Sequence, residues 1–158
     1  MTCLNCVAIP DKFSLIGREG QERLSRSRVI MLGLGALGTV SAELCARAGI
    51  GHLVLVDRDF VEESNLQRQI LFDERDAAEH WPEAAAAEKK LRSINSTISI
   101  RGLLLDANAS NIEHLVRNSS LVIDGTDNFE TQFLINDACV KLNVPWIYGA
   151  AVASEGMP

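Results

Sequence analysis

The segment at residues 56–69, VDRDFVEESNLQRQ, places a cluster of charged and amide side chains directly after an apolar run. Arginine offers a planar set of donors that fits phosphate oxygens, and neighbouring carboxamides orient it or bind the same group. These residue types therefore predict a phosphate site. A solvated short helix, with Arg68 in a surface ion pair to Glu62 or Glu63, is the alternative. The amides and the arginine are Asn65, Gln67, Arg68 and Gln69.

A glycine-rich turn, GLGALG at residues 33–38, follows an apolar run and precedes a helical pattern. Gly33, Gly35 and Gly38 permit a tight turn and close approach of a ligand, and the start of a helix offers free N–H groups to an anion. Asp57 ends the next apolar run, at about the distance where a carboxylate binds ribose hydroxyls. The combination predicts mononucleotide or dinucleotide binding. The alternative is a turn of this shape without a ligand.

A second acidic segment, DGTDN at residues 124–128, follows the fourth apolar run. Ligands of open α/β sheets bind beyond the carboxyl ends of the strands, so we expect Asp127 to face the same nucleotide as the glycine turn. A carboxylate beside a triphosphate is unfavourable unless a cation lies between them, which predicts Asp127 as a Mg²⁺ ligand. The alternative is that Asp127 caps the helix that follows.

Five short runs rich in Val, Ile and Leu alternate with helical patterns along the chain. Nearly unbroken apolar runs are typical of strands that are covered on both faces. Their alternation with helices predicts an α/β fold, a Rossmann-like doubly wound, mainly parallel sheet with helices on both faces. The predicted strands are 28–32, 52–56, 98–104, 120–124 and 144–148, and the predicted helices are 36–48, 83–94, 110–117 and 128–142.

The composition predicts one globular domain, because 158 residues with 47% hydrophobic side chains can bury a substantial core. We expect an N-terminal segment at 1–19 and a nucleotide-binding adenylation domain at 20–158, the front part of a longer protein. The net charge of -6 argues against a nucleic-acid partner, since that requires clustered Lys and Arg. No apolar run has the length of a membrane span and no signal peptide is visible, so we expect no membrane association and a cytoplasmic protein.

The four cysteines are expected to be reduced thiols in that compartment. Cys45 and Cys139 fall in apolar helical patterns and are predicted to be core residues. Cys139 is therefore a poor candidate for a nucleophile, which needs an exposed, electropositive setting. Cys3 and Cys6 form a CxxC pair, but a structural zinc site requires four ligands and no second pair completes it.

GLGALG, VDRDFVEESNLQRQ and IDGTDN occur in this order, with GQERL at 20–24 before the first strand and YGAAVASEGM at the end of the fifth. From about residue 16 to residue 157, the chain resembles the ThiF/MoeB/HesA family of ubiquitin-activating-like adenylating enzymes. The resemblance implies ATP and Mg²⁺ and a homodimer or pseudo-dimer. It also implies adenylation of the C-terminal carboxylate of a ubiquitin-like sulfur-carrier protein, with release of pyrophosphate.

The resemblance also implies a role for each motif residue. Arg68 and Asp127 would stabilise the charge that develops on the phosphates, with Asp127 holding the magnesium ion. No general base is required, because the attacking carboxylate is ionised near neutral pH. The cofactor-binding residues that it implies are Gly33, Gly35, Gly38, Asp57, Asn65, Arg68 and Gln69.

Two cations of the family pattern are missing. The family places a lysine after a proline at the start of the helix following SNLQRQ, and this chain has Pro82 and Glu83 there. Lys90 lies on the same helix face, but about 10 Å further along, too far to replace that lysine. The family's N-terminal arginine segment corresponds to residues 6–10, CVAIP, and Arg18 is the first arginine.

These losses suggest weakened adenylation or a pairing in which another chain supplies the charge. One alternative is therefore a catalytically impaired ATP-binding homologue that acts as a partner or regulatory subunit. Another is a related enzyme that adenylates a tRNA nucleoside or a peptide. An NAD-dependent oxidoreductase is a further alternative, although nothing in SNLQRQ indicates a nicotinamide cofactor.

Overall fold

Five parallel strands form the central sheet of the protein, for which a computed structural model describes residues 16–152 and 155–157. Their order across the sheet is β3-β2-β1-β4-β5, so winding reverses between β1 and β4. The carboxyl ends of these two neighbours meet at the switch point where open α/β sheets bind ligands. The strands are β1 (Arg28–Leu32), β2 (His52–Asp57), β3 (Ser99–Leu104), β4 (Leu121–Asp124) and β5 (Trp146–Tyr148).

Helices cover both faces of the sheet, and a short antiparallel hairpin follows it, so the predicted doubly wound α/β fold is confirmed. None of the helices among the described residues is long and apolar enough to cross a membrane. The helices are α1 (Gly17–Arg26), α2 (Ala36–Ala48), α3 (Glu74–Ala78), α4 (Glu83–Ile94), α5 (Ile112–Val116) and α6 (Phe129–Leu142), with a 3₁₀ turn at Glu63–Asn65 and hairpin strands β6 (Ala150–Val152) and β7 (Glu155–Met157).

Two hydrophobic clusters, one on each face of the sheet, form the core. Alternate side chains of β1 enter opposite clusters, because successive residues of a strand point to opposite faces. Val29 and Met31 lie with α2 and α4, whereas Ile30 and Leu32 lie with α5 and α6, and none of these four is more than 2% exposed. Burial on both faces explains why the strands are continuously apolar.

The alanine-rich start of α4 brings this helix close to the sheet. Ala84, Ala86 and Ala87 are fully buried, and a Cβ at Gly102 of β3 would lie 2.2 Å from the Ala84 carbonyl oxygen. Glu88 reinforces the contact, since its Oε2 accepts a hydrogen bond of 2.6 Å from the Gly102 N–H. Small residues on both elements therefore fix the position of α4 beside β3.

The observed bounds equal those predicted for strand 28–32 and for helices 36–48 and 83–94, and the other predicted elements differ by one or two residues at one or both ends. Helix α6 begins after residue 128 because Asn128 is its N-cap and accepts a hydrogen bond from the Thr131 N–H. Strand β5 begins later than predicted because the Val144 N–H donates to Cys139 O at the end of α6.

Helices α1 and α3 and the hairpin were not predicted. Helix α3 has five residues, too few to show a helical period. It is stabilised instead by a reciprocal capping box, in which Asp73 accepts from the N–H groups of Arg75 and Asp76 and the Asp76 side chain accepts from the Asp73 N–H. Cys3, Cys6 and the segment 6–10 lie outside the described residues, and the division at residue 19 stays a prediction.

Gly38→Ala should lower the free energy of unfolding by about 1–3 kcal/mol or more, because the new Cβ would lie 2.0 Å from the backbone oxygen of Gly33. Gly35→Ala is the matched control, since a Cβ there meets nothing within 4 Å. Gly35→Ala should lower the free energy of unfolding by less than about 1 kcal/mol. Urea denaturation followed by circular dichroism measures both values, and equal losses would contradict this account of the turn.

Candidate active site

A cavity of about 1040 Å³ opens at the carboxyl edge of the sheet, over the ends of β1, β2 and β4. It brings together residues from the three motifs GLGALG, VDRDFVEESNLQRQ and IDGTDN. Gly38 is the one predicted site residue outside the lining; it packs behind the glycine turn, against the Gly33 carbonyl. The predicted site residues that line the cavity are Gly33, Gly35, Asp57, Asn65, Arg68, Gln69 and Asp127.

The three glycines of the turn have different structural roles. Gly33 has a φ of +88°, and a Cβ there would lie 2.7 Å from the carbonyl carbon of Gly125 at the end of β4. Gly33 and Gly38 therefore allow close packing of backbone on backbone. Gly35 has open space around its Cβ position and precedes α2 as its N-cap. Gly35 is thus the position of the turn at which a ligand can approach the start of a helix.

Asp57 ties the glycine turn to the end of β2. Its Oδ2 accepts a hydrogen bond of 2.6 Å from the Leu34 N–H, and its Oδ1 accepts one of 2.8 Å from the Asp59 N–H. Each carboxylate oxygen has a further lone pair, so the carboxylate retains acceptor capacity for ribose hydroxyls. The resemblance implied the ribose role, but the bond to the turn was not predicted.

The SNLQRQ segment begins with a 3₁₀ turn that Asn65 organises. Asn65 Oδ1 accepts from the Glu62 N–H at 2.8 Å, and its backbone oxygen accepts from the N–H groups of Arg68 and Gln69. Arg68 donates from its Nη1 to Ser64 O at 2.9 Å. In the part of the chain that the structure describes, no salt bridge joins Arg68 to Glu62 or to Glu63, so the alternative of a surface ion pair is not observed there.

The side chain of Asp127 lines the cavity and is exposed. The N-cap of α6 is Asn128, whose Oδ1 accepts from the Thr131 N–H at 2.9 Å. The capping role that the sequence left open for Asp127 therefore belongs to the next residue. The loop before it is held by Asp124, which is 3% exposed and whose Oδ1 accepts from both the N–H and the hydroxyl of Thr126.

The donor set around Asp127 fits a magnesium ion that is shared with a phosphate ligand. Among the residues described, no group of three or more His, Cys, Asp or Glu side chains could hold a metal by itself. Mg²⁺ commonly keeps several waters and takes one or two carboxylates together with substrate phosphates. Asp127 would supply such a carboxylate, and Arg68 lines the same cavity as a phosphate donor.

The cavity has a marked excess of acidic side chains. Burial, followed by the nearby Asp57 carboxylate, raises the pKa of Asp59, and Asp127 contributes in the same direction. Arg58 is paired with Asp106, with 3.1 Å between Nη1 and Oδ1. A polyphosphate ligand therefore requires added positive charge here. Six carboxylates and two guanidinium groups line the cavity: Asp57, Asp59, Glu62, Glu83, Asp106 and Asp127, with Arg58 and Arg68.

Asp106 and Thr126 line the cavity but were not among the predicted site residues. Asp106 follows β3 and Thr126 follows β4, at the same edge of the sheet. The rule that ligands bind at the carboxyl ends of parallel strands would have indicated both positions, although Asp106 lies in no predicted motif and Thr126 lies within DGTDN without having been assigned a role.

Glu83, the first residue of α4, is 3% exposed and lines the cavity. Burial, followed by the nearby Asp57 carboxylate, raises the pKa of Glu83 from 4.5 to about 8. A hydrogen bond with Gln69 and the charge of Arg68 act in the opposite direction. The N-terminal end of a helix also favours an anion, but typically by only about 0.3–1 kcal/mol. The result is a carboxyl group that stays largely protonated at neutral pH.

Lys90 is held away from the cavity, as its position along α4 predicted. Its Nζ pairs with Asp73 and lies 3.6 Å from Asp76 Oδ2, so it stabilises the capping box of α3.

Cys139 is 3% exposed, and burial raises its pKa to about 11. This confirms it as a core thiol and a poor nucleophile. Cys45 is half-buried beside the other cluster.

Comparison with known proteins places this geometry in a family. The model of the ThiF family matches residues 10–158. The chain belongs to the ThiF family. It is 50% identical, over 145 residues, to the sulfur carrier protein ThiS adenylyltransferase of Bacillus subtilis strain 168. The match covers 92% of this chain but 43% of that relative, so this ThiF-family chain spans less than half the length of the relative.

Solved structures that are similar to this chain support the fold. A crystal structure of E. coli MccB with AMPCPP and MccA has a TM-score of 0.77 and 30% identity, covering 84% of this chain and 39% of that one. The E. coli tRNA N6-threonylcarbamoyladenosine dehydratase TcdA, in complex with AMP, has a TM-score of 0.84 at 22% identity and covers 92% of this chain and 61% of that one. At 22% identity, the similarity to TcdA supports only the fold.

The ionisation of Glu83 should make the stability of the protein depend on pH. The unfolded chain releases this proton near pH 4.5, whereas the folded chain holds it up to about pH 8. The folded state therefore binds more protons in that window. The free energy of unfolding should fall as the pH rises through it, by about 5 kcal/mol at most.

Urea denaturation of the wild type and Glu83→Gln between about pH 5 and pH 9 measures this fall. The variant should lose most of the pH dependence, because it has no proton to release. Glu88→Gln is the matched control on the same helix, since Glu88 bonds to Gly102 outside the cavity. A profile of Glu83→Gln that parallels the wild type would contradict the burial of an ionisable group at this position.

Proposed function

We propose that this chain carries out the ATP-dependent adenylation of the C-terminal carboxylate of a ubiquitin-like sulfur-carrier protein. One observation carries the proposal: the glycine turn, Asp57, Arg68 and Asp127 line a single cavity at the switch point of the sheet. The similarity to a ThiS adenylyltransferase over 92% of the chain supports the same reaction. Because that relative is much longer, the acceptor and the complete activity belong to this proposal.

In this reaction, ATP with Mg²⁺ supplies an activated α-phosphorus and releases pyrophosphate when the acceptor carboxylate attacks it. Arg68 presents guanidinium donors to the phosphate chain, where charge develops in the transition state. The N-terminal end of α2, which begins after Gly35, offers backbone N–H groups to the same chain. Asp57 fixes the ribose, and the fixed positions of these groups favour in-line geometry.

Asp127 would hold the magnesium ion against the phosphates. Its exposed carboxylate lines the cavity, while the capping of α6 is left to Asn128. Asp124 and Thr126 position the loop through two hydrogen bonds of 2.7 and 2.9 Å. The carboxylate therefore remains available for a cation, which offsets the repulsion between the acidic cavity and a polyphosphate.

We further propose a cytoplasmic homodimer or pseudo-dimer in which the second chain contributes positive charge. The excess of carboxylates over guanidinium groups in the cavity favours such a contribution. Apolar side chains on the outer surfaces of α2 and α6 are available for a partner. They include Leu44, Phe133 and Val140, which are 61%, 68% and 74% exposed.

A second candidate function is a catalytically impaired ATP-binding subunit that regulates or completes an active partner. The buried Glu83 at the position of the family lysine favours this candidate, because it removes a cation from the phosphate subsite. It would bind ATP with Mg²⁺ but would not exchange pyrophosphate. A peptide acceptor is a further alternative, because it too would present a carboxylate to the α-phosphorus. The acidic cavity gives less support to a tRNA acceptor.

Arg68→Ala should reduce the rate of ATP–pyrophosphate exchange by about 100-fold or more, because a donor to the transition-state charge is lost. The assay uses the purified chain with a ubiquitin-like carrier that ends in glycine. Arg47→Ala is the matched control, since Arg47 is paired with Glu43 on α2 and lies outside the cavity. Exchange that survives Arg68→Ala unchanged would contradict the catalytic role. ATP binding without exchange in the wild type would favour the impaired subunit.

Asp127→Asn should raise the Mg²⁺ concentration that gives half-maximal exchange by about tenfold or more, because a neutral amide is a weaker ligand for a hard cation. Removing the metal with EDTA should abolish exchange in the wild type. Asp137→Asn on the exposed surface of α6 supplies a control for the loss of one negative charge. The same Mg²⁺ dependence in all three proteins would contradict the assignment of Asp127.

A further inference from the structure

Glu83 and Gln69 lie together in the wall of the cavity and are 3% and 4% exposed. Gln69 comes from the SNLQRQ segment, and Glu83 begins α4. A bridge between Phe60 and Pro82 and the hydrogen bond from the Glu83 N–H to Asp59 O hold α4 against the loop after β2. The two buried polar side chains are therefore fixed relative to each other.

Gln69 Oε1 is buried and has no hydrogen-bond partner, and the Glu83 carboxyl group is buried in the same wall of the cavity, where Gln69 influences its ionisation. An ionised carboxylate has only acceptors and cannot satisfy an amide oxygen. A neutral carboxyl group can, because its O–H donates to the amide oxygen while its carbonyl accepts from the amide N–H. Since a buried orphan acceptor is unfavourable, the neutral form fits this contact.

We propose that neutral Glu83 pairs with Gln69 to form an uncharged wall of the phosphate subsite, and that loss of the Glu83 proton weakens the binding of polyphosphate nucleotides. This inference rests on the nucleotide site of the proposed function. It assigns to Glu83 a role in selecting ligands by charge, at the position where the family has a lysine. A neutral carboxyl neither attracts nor repels phosphate strongly, whereas an ionised Glu83 would be the sixth negative charge in the cavity lining and would repel an anionic ligand.

The charged groups that act on Glu83 come from two neighbouring segments. Asp57 and Asp59 at the end of β2 oppose its ionisation, and Arg68 favours it. Strand β3 meets this end of α4 through the backbone, with Gly102 against Ala84. Helix α2 contacts α4 at the far end of α4, where Asn95 Nδ2 donates a hydrogen bond to Ala46 O. Burial, and then the carboxylates at the end of β2, therefore raise the pKa of Glu83 and favour its neutral form.

The effect should increase with the charge of the ligand, because repulsion scales with the number of phosphate charges near the carboxylate. The dissociation constant of ATP with Mg²⁺ should rise on the order of tenfold between about pH 7.5 and pH 9.5, as the neutral fraction of Glu83 falls. The dissociation constant of AMP should rise less, and that of adenosine should stay nearly constant. Isothermal titration calorimetry measures all three with the purified chain.

Glu83→Gln should make the affinity for ATP nearly independent of pH in this range, because the amide cannot ionise. Glu88→Gln should keep the wild-type profile, since it makes the same chemical change on α4 outside the cavity. Circular dichroism at each pH confirms that the variants are folded. The contrast between ATP and adenosine in the wild type requires no variant, so the inference can be tested even if Glu83→Gln fails to fold.

ATP binding that does not change with pH in the wild type would overturn this inference and leave the proposed function intact. The same rise for adenosine as for ATP, or a wild-type profile in Glu83→Gln, would also overturn it. Absence of ATP binding at every pH would overturn both the inference and the nucleotide site on which the proposed function depends.

Discussion

The close approach of β1 and β4 at their carboxyl ends is the constraint on which the site depends. The Gly125 N–H donates to Leu32 O at 2.8 Å, and the Gly33 N–H donates to Val56 O at 2.9 Å, so three strands end at one level. A side chain at Gly33 would collide with the Gly125 backbone. With glycine there, the acidic residues after β2 and β4 converge on a single cavity. A bulkier turn would separate these acidic residues, and they could not then act on one ligand.

This convergence creates an electrostatic problem that the rest of the site must offset. Acidic groups outnumber guanidinium groups in the cavity, yet three of the acids have distinct roles in the structure. Asp57 holds the glycine turn, Asp106 pairs with Arg58, and Asp127 remains exposed. A polyphosphate can therefore bind only if a divalent cation, a second chain or a proton reduces the negative charge. The buried Glu83 is the group whose surroundings most strongly favour the proton.

Much of the fold was predictable from the sequence, and the reasons are physical. Strand β1 and helices α2 and α4 had the predicted bounds because apolar runs and helical periodicity reflect burial directly. Helix α3 was missed because it has five residues and depends on a capping box rather than on a period. The switch-point rule also placed Asp127 beside the glycine turn, since strand ends in a parallel sheet share an edge. The bond from Leu34 to Asp57 was not predicted, because it depends on the final path of the turn.

The protonation state of Glu83 could not be predicted from the sequence. An acid at the first position of a helix is typically an exposed, ionised residue that interacts with the helix dipole, and resemblance to the family indicates only that a lysine is missing. The contact of Phe60 with Pro82 and the hydrogen bond from Val61 to Trp81 O bring the loop after β2 over the start of α4. That tertiary contact buries Glu83 beside Asp57 and Gln69. The substitution of a lysine by a glutamate is therefore not a simple reversal of charge, because the fold that buries the glutamate also favours its neutral form.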